Sequence, residues 1–440
     1  MGRCLRVAAL VCALVLTCAG CSLDVESFLQ PPRVQGEQQA VQAALETYIR
    51  DRSGAGARYV LKYPVEGAHT AAFSLCDEQG FSLEEEQDAR MAVAFYALAS
   101  APEEIHINLL RWDTGEWVSV ADAVGAGVAI RQVAFGDLDG DGRAEIITGW
   151  STYSSHTHQL TVYSTADGLR TVSGDRVYTS LFVGDVTATG GDSLLLLHSA
   201  PRTVTATLNR LQGDTLEVLD TASLDGGIQQ FGGMTLCRLA EGVHGLFVEG
   251  YKESGDTVTE LIYYDDTGLQ VPFYDPATNT SAATTRPGRL AARDIDGDAM
   301  VEVPYSQLIP GHTVNQVGGA VTVWRVWDYV TRSWSVRAHT VVNTEDGYVI
   351  TLNGDQVRTL DTAYDTVTRT LDLLDTGTGR VWLRLTVGEN ADWSEPEEMR
   401  SITVFSADDR RPGCTAWYDP QVLKAEKVRY MVSRLTGVGG

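Results

Sequence analysis

The chain has 440 residues, of which 44% are hydrophobic and 21% are charged, so the composition supplies ample core and excludes a disordered chain. The formal net charge of −24 excludes an extended basic surface, so nucleic acid and anionic lipid headgroups are not expected partners. Glycine (43 residues) far exceeds proline (13 residues), which is typical of many tight turns between short strands.

The first twenty residues predict a secretion signal. Arg3 and Arg6 precede an apolar run over residues 7–16, which is too short to span a membrane, and small residues follow. Ala19-Gly20-Cys21-Ser22 resembles a bacterial lipobox, with Cys18 where such boxes usually carry leucine. The resemblance implies lipidation at Cys21 and an extracytoplasmic, membrane-anchored protein, with plain secretion as the alternative. The polar segment 21–35 contains paired prolines and is interpreted as a tether.

Removal of the signal also removes two arginines and no acidic residue, which brings the formal charge to −26. Such a surface attracts cations. Three cysteines then remain besides Cys21, namely Cys76, Cys237 and Cys414, so the chain can form at most one disulfide. The favoured interpretation is that all three are small buried residues, and the fold is not stapled by cysteines.

Residues 36–54 predict an amphipathic helix, because Val41, Ala44, Leu45 and Tyr48 recur at helical spacing. From residue 55 the pattern changes to short alternating or apolar runs broken by Gly, Asp and Thr, which are typical of β-strands.

A repeat organises these strands. An acidic or polar loop followed by an apolar strand begins at Asp137 and Asp294 and, in eroded form, at residues 77, 185 and 235. The spacing of 48 to 60 residues matches four-stranded propeller blades. The sequence therefore predicts an all-β β-propeller of about five to seven blades over residues 55–345. After residue 345 the repeat is lost, and further strands and a helix over 419–435 predict a small α+β domain over residues 346–440.

The two well-preserved loops carry carboxylates at alternate positions. In "DLDGDGRAE" the side chains are Asp137, Asp139, Asp141 and Glu145, at loop positions 1, 3, 5 and 9. The second loop repeats the scheme, and its carboxylates are Asp294, Asp296, Asp298 and Glu302. Arg143 and Met300 stand at position 7, where a backbone carbonyl completes such sites.

These hard oxygen donors predict two Ca²⁺ sites, because Mg²⁺ requires a tighter octahedron and Zn²⁺ prefers nitrogen or sulfur. The loops are not EF-hands, since position 12 of the first loop is Thr148 and the flanks are strand-like. The alternative is that both loops are simple turns. The loops at 185 and 235 lack the ligands and are not expected to hold an ion.

The stretches "VAFGDLDGDGRAEIITGW" and "AARDIDGDAMVEV" resemble FG-GAP/VCBS-type repeats, the blade units of integrin-α-like propellers and of many bacterial surface proteins. With the lipobox-like start, the chain resembles VCBS-repeat lipoproteins over about two thirds of its length. The resemblance implies calcium that rigidifies blade loops and a function in adhesion or ligand binding, although some such proteins are fused to enzymes or serve them.

No sequence motif identifies a catalytic site. Patterns of the HExxH, GxSxG and P-loop types are missing from the sequence. His156 and His158 are a weak metal signal, and Trp324, Trp327 and Tyr329 are expected to pack between blades in preference to stacking on sugars.

We therefore expect a non-enzymatic, cell-surface calcium-binding propeller that binds an unknown protein or polysaccharide and contacts the membrane only through its lipid. The alternative is a secreted polysaccharide-degrading enzyme, or its accessory subunit, that uses the propeller face as a cleft.

Overall fold

The computed structural model describes residues 34–67, 72–74, 91–151, 158–166, 168–313, 316–388, 398–407 and 412–435. The predicted signal peptide, nearly all of the tether, the lipidation site Cys21, Cys76, the eroded loop at 77 and His156 lie outside these residues. In the described part of the chain, no helix is both long enough and apolar enough to cross a membrane.

The predicted N-terminal helix is confirmed as α1 (Val34–Ser53). Its buried residues Val41, Leu45 and Ile49 recur every four positions, so one face of the helix packs into the core. That core includes Tyr96 and Trp117 of the first sheet. Gly54 ends the helix, since it has a positive φ of 90° and its N–H donates to the carbonyl of Arg50 at 2.9 Å.

In the described residues, six antiparallel sheets follow, numbered I to VI in chain order. Sheet I contains β1 (Tyr59–Leu61), β2 (Ala72–Ser74), β3 (Met91–Leu98), β4 (Ala101–Asp113) and β5 (Glu116–Val124). Sheet II contains β6 (Ala129–Gly136), β7 (Glu145–Ser151), β8 (His158–Ser164) and β9 (Arg170–Tyr178). Sheet III contains β10 (Ser180–Gly184), β11 (Ser193–Ala200), β12 (Thr203–Gln212) and β13 (Thr215–Leu224).

The remaining sheets have five strands each. Sheet IV contains β14 (Ile228–Ala240), β15 (Val243–Lys252), β16 (Asp256–Asp265), β17 (Gly268–Gln270) and β18 (Arg286–Pro287), with a 3-10 helix (Ala282–Thr284) before β18. Sheet V contains β19 (Glu302–Leu308), β20 (Ala320–Asp328), β21 (Ser333–Asn343), β22 (Tyr348–Leu352) and β28 (Val432–Arg434). Sheet VI contains β23 (Leu360–Asp365), β24 (Thr370–Asp375), β25 (Val381–Val387), β26 (Arg400–Phe405) and β27 (Cys414–Tyr418).

Two compact units make up the chain, one of residues 1–133 with 164–170 and one of residues 134–163 with 171–440. In the second unit, each sheet buries one face against the next in chain order. Separate apolar clusters join sheet II to III, III to IV, IV to V and V to VI. The predicted all-β, propeller-type class is confirmed. Sheets I to V begin within the predicted propeller range of residues 55–345, and sheet VI lies beyond it.

The eroded repeat at 235 is not a loop. Thr235, Cys237 and Leu239 lie inside β14, which pairs with β15 through Ala240 and turns only at residues 241–242. This segment has no aspartate to fold a turn, so the chain continues as a strand. The eroded loop at 185 is a loop, as predicted, between β10 and β11.

The C-terminal boundary predicted at residue 345/346 falls between β21 and β22, which are paired neighbours in sheet V. One apolar cluster continues from Val321 through Leu383 to Val432 across sheets V and VI. Residues 346–440 do contain two short helices, α2 (Gly354–Arg358) and α3 (Ala425–Met431). The strand β28 returns to sheet V, so this region shares a sheet and a core with the residues before it.

Candidate metal centre

Both predicted calcium loops connect to the first residue of a buried strand. Loop 1 (residues 137–145) follows β6 and ends at Glu145, which begins β7. Loop 2 (residues 294–302) ends at Glu302, which begins β19. The glutamates are 1% and 0% exposed, whereas the aspartates at positions 3 and 5 of both loops are exposed. Each loop therefore directs one buried carboxylate and several exposed ones to the same side of a strand end.

The aspartate at position 1 folds each loop into a turn. Asp137 accepts the N–H of Gly140 through Oδ1 at 2.7 Å and the N–H of Gly142 through Oδ2 at 2.9 Å. Asp294 accepts the N–H of Gly297 at 2.6 Å and the N–H of Ala299 at 2.9 Å in the same way. These donors also hold the pKa of Asp294 below its usual value.

The backbone of the turn requires left-handed residues at positions 4 and 6. Gly140 and Gly142 have φ of 79° and 84° in loop 1. Loop 2 has Gly297 at 84° and then Ala299 at 65°, which is an uncommon conformation for a residue with a Cβ atom. The predicted curling of the loops at their glycines is therefore present in the backbone.

Three predicted ligands come together in each loop. One carboxylate oxygen from each of Asp137, Asp139 and Glu145 lies within 4.8 Å of the other two. Asp294, Asp296 and Glu302 form the same arrangement. Among the described residues these are the groups of three or more acidic, histidine or cysteine side chains close enough to share an ion.

The aspartates at position 5 are outside these groups. Asp141 accepts the N–H of Arg143 at 2.8 Å, and Asp298 accepts the N–H of Met300 at 2.9 Å. Each position-5 carboxylate thus fixes the backbone of the position-7 residue, whose carbonyl stays a predicted ligand.

The buried glutamates have the electrostatics of a cation site. One oxygen of Glu145 accepts the N–H of Leu138, and one of Glu302 accepts the N–H of Ile295, both at 2.9 Å. Burial raises the pKa of Glu145 to about 8, and the three loop aspartates add to the effect. Burial and the neighbouring carboxylates also raise the pKa of Glu302, whose buried Oε1 has no hydrogen-bond partner among the described residues. A divalent cation would supply the missing partner and reverse both shifts.

The loop at 185 has the aspartate-centred turn but lacks the group of three carboxylates. Asp185 accepts the N–H of Gly190 at position 6 at 2.9 Å, as the first aspartate does in loops 1 and 2, and it also accepts the N–H of Thr189 at position 5 at 3.0 Å. Positions 3, 5 and 9 are, however, Thr187, Thr189 and Ser193. An aspartate at position 1 therefore folds the turn without an ion, and the carboxylates at positions 3 and 9 are the features specific to loops 1 and 2.

Two contacts of the loops come from residues distant in the sequence. The N–H of Asp137 donates to Asp192 Oδ2 at 3.1 Å, and the N–H of Asp192 returns a bond to the carbonyl of Asp137 at 3.2 Å. At loop 2, Arg337 Nη2 lies 3.6 Å from Asp298 Oδ2. Sequence analysis missed both residues, because no local spacing links them to the loops.

The other candidate residues pack into the protein. Trp327 contacts Phe273 and Trp334, with ring centroids 5.3 and 5.2 Å apart, and Tyr329 contacts Tyr263 at 5.2 Å. These rings join sheets IV and V, which confirms the packing interpretation.

His158 and two of the cysteines also belong to the interior. The buried ring of His158 lies against Tyr178, with the centroids 5.7 Å apart. Cys414 is buried and Cys237 is half-buried, and both are free thiols.

No protein-family model and no curated protein matches the chain. Among solved structures, the chain is similar to rhamnogalacturonan lyase YesW, with 12% identity and a TM-score of 0.31 over 82% of this chain and 74% of that one. Rhamnogalacturonan lyase YesX is 13% identical, with a TM-score of 0.29 over 82% of this chain and 73% of that one. An exo-β-1,3-galactanase from Phanerochaete chrysosporium is 9% identical, with a TM-score of 0.28 over 86% of this chain and 92% of that one. At these values the likeness supports no inference about activity.

Proposed function

We propose that the chain is a calcium-binding module of the FG-GAP/VCBS propeller type in which loops 1 and 2 each hold one structural Ca²⁺. The observation that carries the proposal is the repetition of one arrangement. Each loop brings together three carboxylates around the same aspartate-centred turn, and the loop at 185 has the turn without the carboxylates. A simple turn does not require a buried glutamate at position 9 in two separate loops.

Calcium is the ion that these donors favour. All of the predicted ligands are oxygens from carboxylates and backbone carbonyls, which suits a hard cation with flexible coordination. The unpaired Oε1 of Glu302 is an energetic cost that a cation at loop 2 would remove, because a buried charge needs a partner. A site of this kind in an extracellular module binds calcium with a Kd of about 10⁻⁴–10⁻³ M.

The proposed role of the ions is structural, and the protein is proposed to act by binding. Each ion would tie the exposed aspartates of a loop to a glutamate at the start of a buried strand, which rigidifies that end of the sheet. The module would be anchored outside the cytoplasm by a lipid on Cys21 and would present its loops to a protein or polysaccharide. The surface charge of −26 argues against nucleic acid as that ligand.

Thermal unfolding in a calcium titration tests the proposal. At a free calcium concentration of about ten times Kd, each site stabilises the native state by about 1.4 kcal/mol, so the melting temperature should rise with calcium. The control is the Asp139→Ala, Asp296→Ala double variant, which removes one ligand oxygen per loop and leaves the position-1 turns in place. A melting temperature that does not respond to calcium in the parent protein would refute the proposal.

A further inference from the structure

A positively charged side chain from β21 lies against loop 2. Arg337 of β21 places Nη2 at 3.6 Å from Asp298 Oδ2 and at 3.5 Å from the sulfur of Met300. Asp298 and Met300 are the residues at positions 5 and 7, the two predicted ligand positions outside the group of three carboxylates. One guanidinium therefore contacts side chains at two of the predicted ligand positions.

The position of Arg337 follows from a bulge in the sheet. In the pairing of β20 with β21, Trp324 is opposite Ala338 and Arg325 is opposite Val336, so Arg337 is the extra residue. A bulge of this type bends the strand and redirects the side chain of the extra residue.

Equivalent bulges occur in two other sheets, where the extra residues are Val120 of sheet I and Leu219 of sheet III. The bulge thus belongs to the fold, and the arginine is particular to the sheet that carries loop 2.

The two oxygens of the Asp298 carboxylate have different neighbours. Its Oδ1 accepts the N–H of Met300 at 2.9 Å, and Arg337 faces Oδ2. An ion that takes Asp298 as a ligand must compete with the guanidinium for Oδ2, and it also meets the repulsion between two positive charges. Both side chains are more than one third exposed, so solvent moderates the competition.

We propose that Arg337 lowers the calcium affinity of loop 2, because its guanidinium competes with the ion for the carboxylate of Asp298. The inference rests on the proposed function, since it concerns the affinity of a site proposed there. It adds a statement about affinity: calcium at loop 2 binds more weakly than it would to the carboxylates without Arg337.

The test is calorimetric titration with calcium chloride in the Asp139→Ala background, which leaves loop 2 as the site to be measured. Arg337→Gln should tighten binding by about two- to fivefold, the scale expected for loss of one exposed charge contact. Arg337→Lys keeps the charge and should bind like the parent. Arg332→Gln removes a charge from the same hairpin without touching the loop and should change Kd by less than about twofold, since a distant exposed charge is screened.

The outcomes separate this inference from the proposed function. Unchanged or weaker binding in Arg337→Gln overturns the role of Arg337 and leaves the calcium site standing. If calcium binds the parent protein but not the Asp139→Ala variant, loop 2 is not a site, and the inference fails while loop 1 survives. If calcium does not bind the parent protein, both fail.

Discussion

Individual positions in the acidic loops have different roles. Asp137 and Asp294 both fold the turn and contribute to the ligand group, whereas Asp185 folds the same turn alone. A substitution at position 1 would remove both the turn and a ligand, so its effect could not be assigned to the ion alone. Positions 3 and 9 report on the ion more directly, which is why the variants above change Asp139 and Asp296.

A second buried carboxylate makes a separate prediction at the residue scale. Glu260 of β16 is fully buried, and its Oε1 accepts the N–H of Asp225 at 2.9 Å and the hydroxyl of Ser281 at 2.7 Å. Its Oε2 has no hydrogen-bond partner among the described residues. Burial raises the pKa of Glu260 to about 7, and Asp225 adds to the rise while Lys252 opposes it.

Because the folded-state pKa is raised, the native protein binds the proton of Glu260 more tightly than the unfolded chain does. This contribution to stability is complete below about pH 4.5 and is lost as the pH rises to about 7, on the order of 3 kcal/mol in total. Glu260→Gln should remove this part of the pH dependence, because an amide does not titrate in this range. The carbonyl of the glutamine can still accept both hydrogen bonds, so the fold is kept.

Urea unfolding of the parent and the variant at pH 5, 6, 7 and 8 measures the effect on the free energy of unfolding. The exposed substitution Glu241→Gln is the matched control and should leave the pH profile as in the parent. An unaltered slope between pH 5 and pH 7 in Glu260→Gln would show that Glu260 does not titrate in this range.

At the scale of elements, the aromatic residues of β20 and β21 connect two sheets. Trp327 lies between Phe273 of the segment after β17 and Trp334 of the same hairpin. Trp327→Ala should lower the free energy of unfolding by about 2 kcal/mol, the scale for a half-buried aromatic side chain. Trp327→Phe should recover most of the loss, and chemical denaturation measures both. A fully stable alanine variant would favour a surface role, such as sugar stacking, over packing.

Local patterns in the sequence predicted the elements that local interactions build. Helix α1 was predicted from the spacing of Val41 and Leu45, and the two acidic loops from alternating aspartates with glycines between them. Thr235 was misassigned because the repeat period placed a loop where the residues themselves favour a strand. Arg337 could not be predicted, since it lies 37 positions from Met300 of loop 2 and its approach depends on a bulge in the register of β20 with β21.

At the scale of the whole molecule, the repeat predicts a succession of sheets. The Asp-rich loops disappear after loop 2, and the predicted boundary at residue 345/346 rests on that loss. The strands nevertheless continue, because sheet VI makes its hairpin turns with single aspartates such as Asp365 and Asp375. The return of β28 to sheet V joins residues that are about eighty positions apart, which no sequence period indicates.

The central claim is that this acidic chain holds two calcium ions in two specific loops. Equilibrium dialysis against radioactive calcium counts the bound ions directly in the parent protein, in Asp139→Ala, in Asp296→Ala and in the double variant. The account predicts two, one, one and zero ions per chain. Equal counts in all four proteins would contradict it, because calcium would then bind elsewhere on the acidic surface and the two loops would be turns alone.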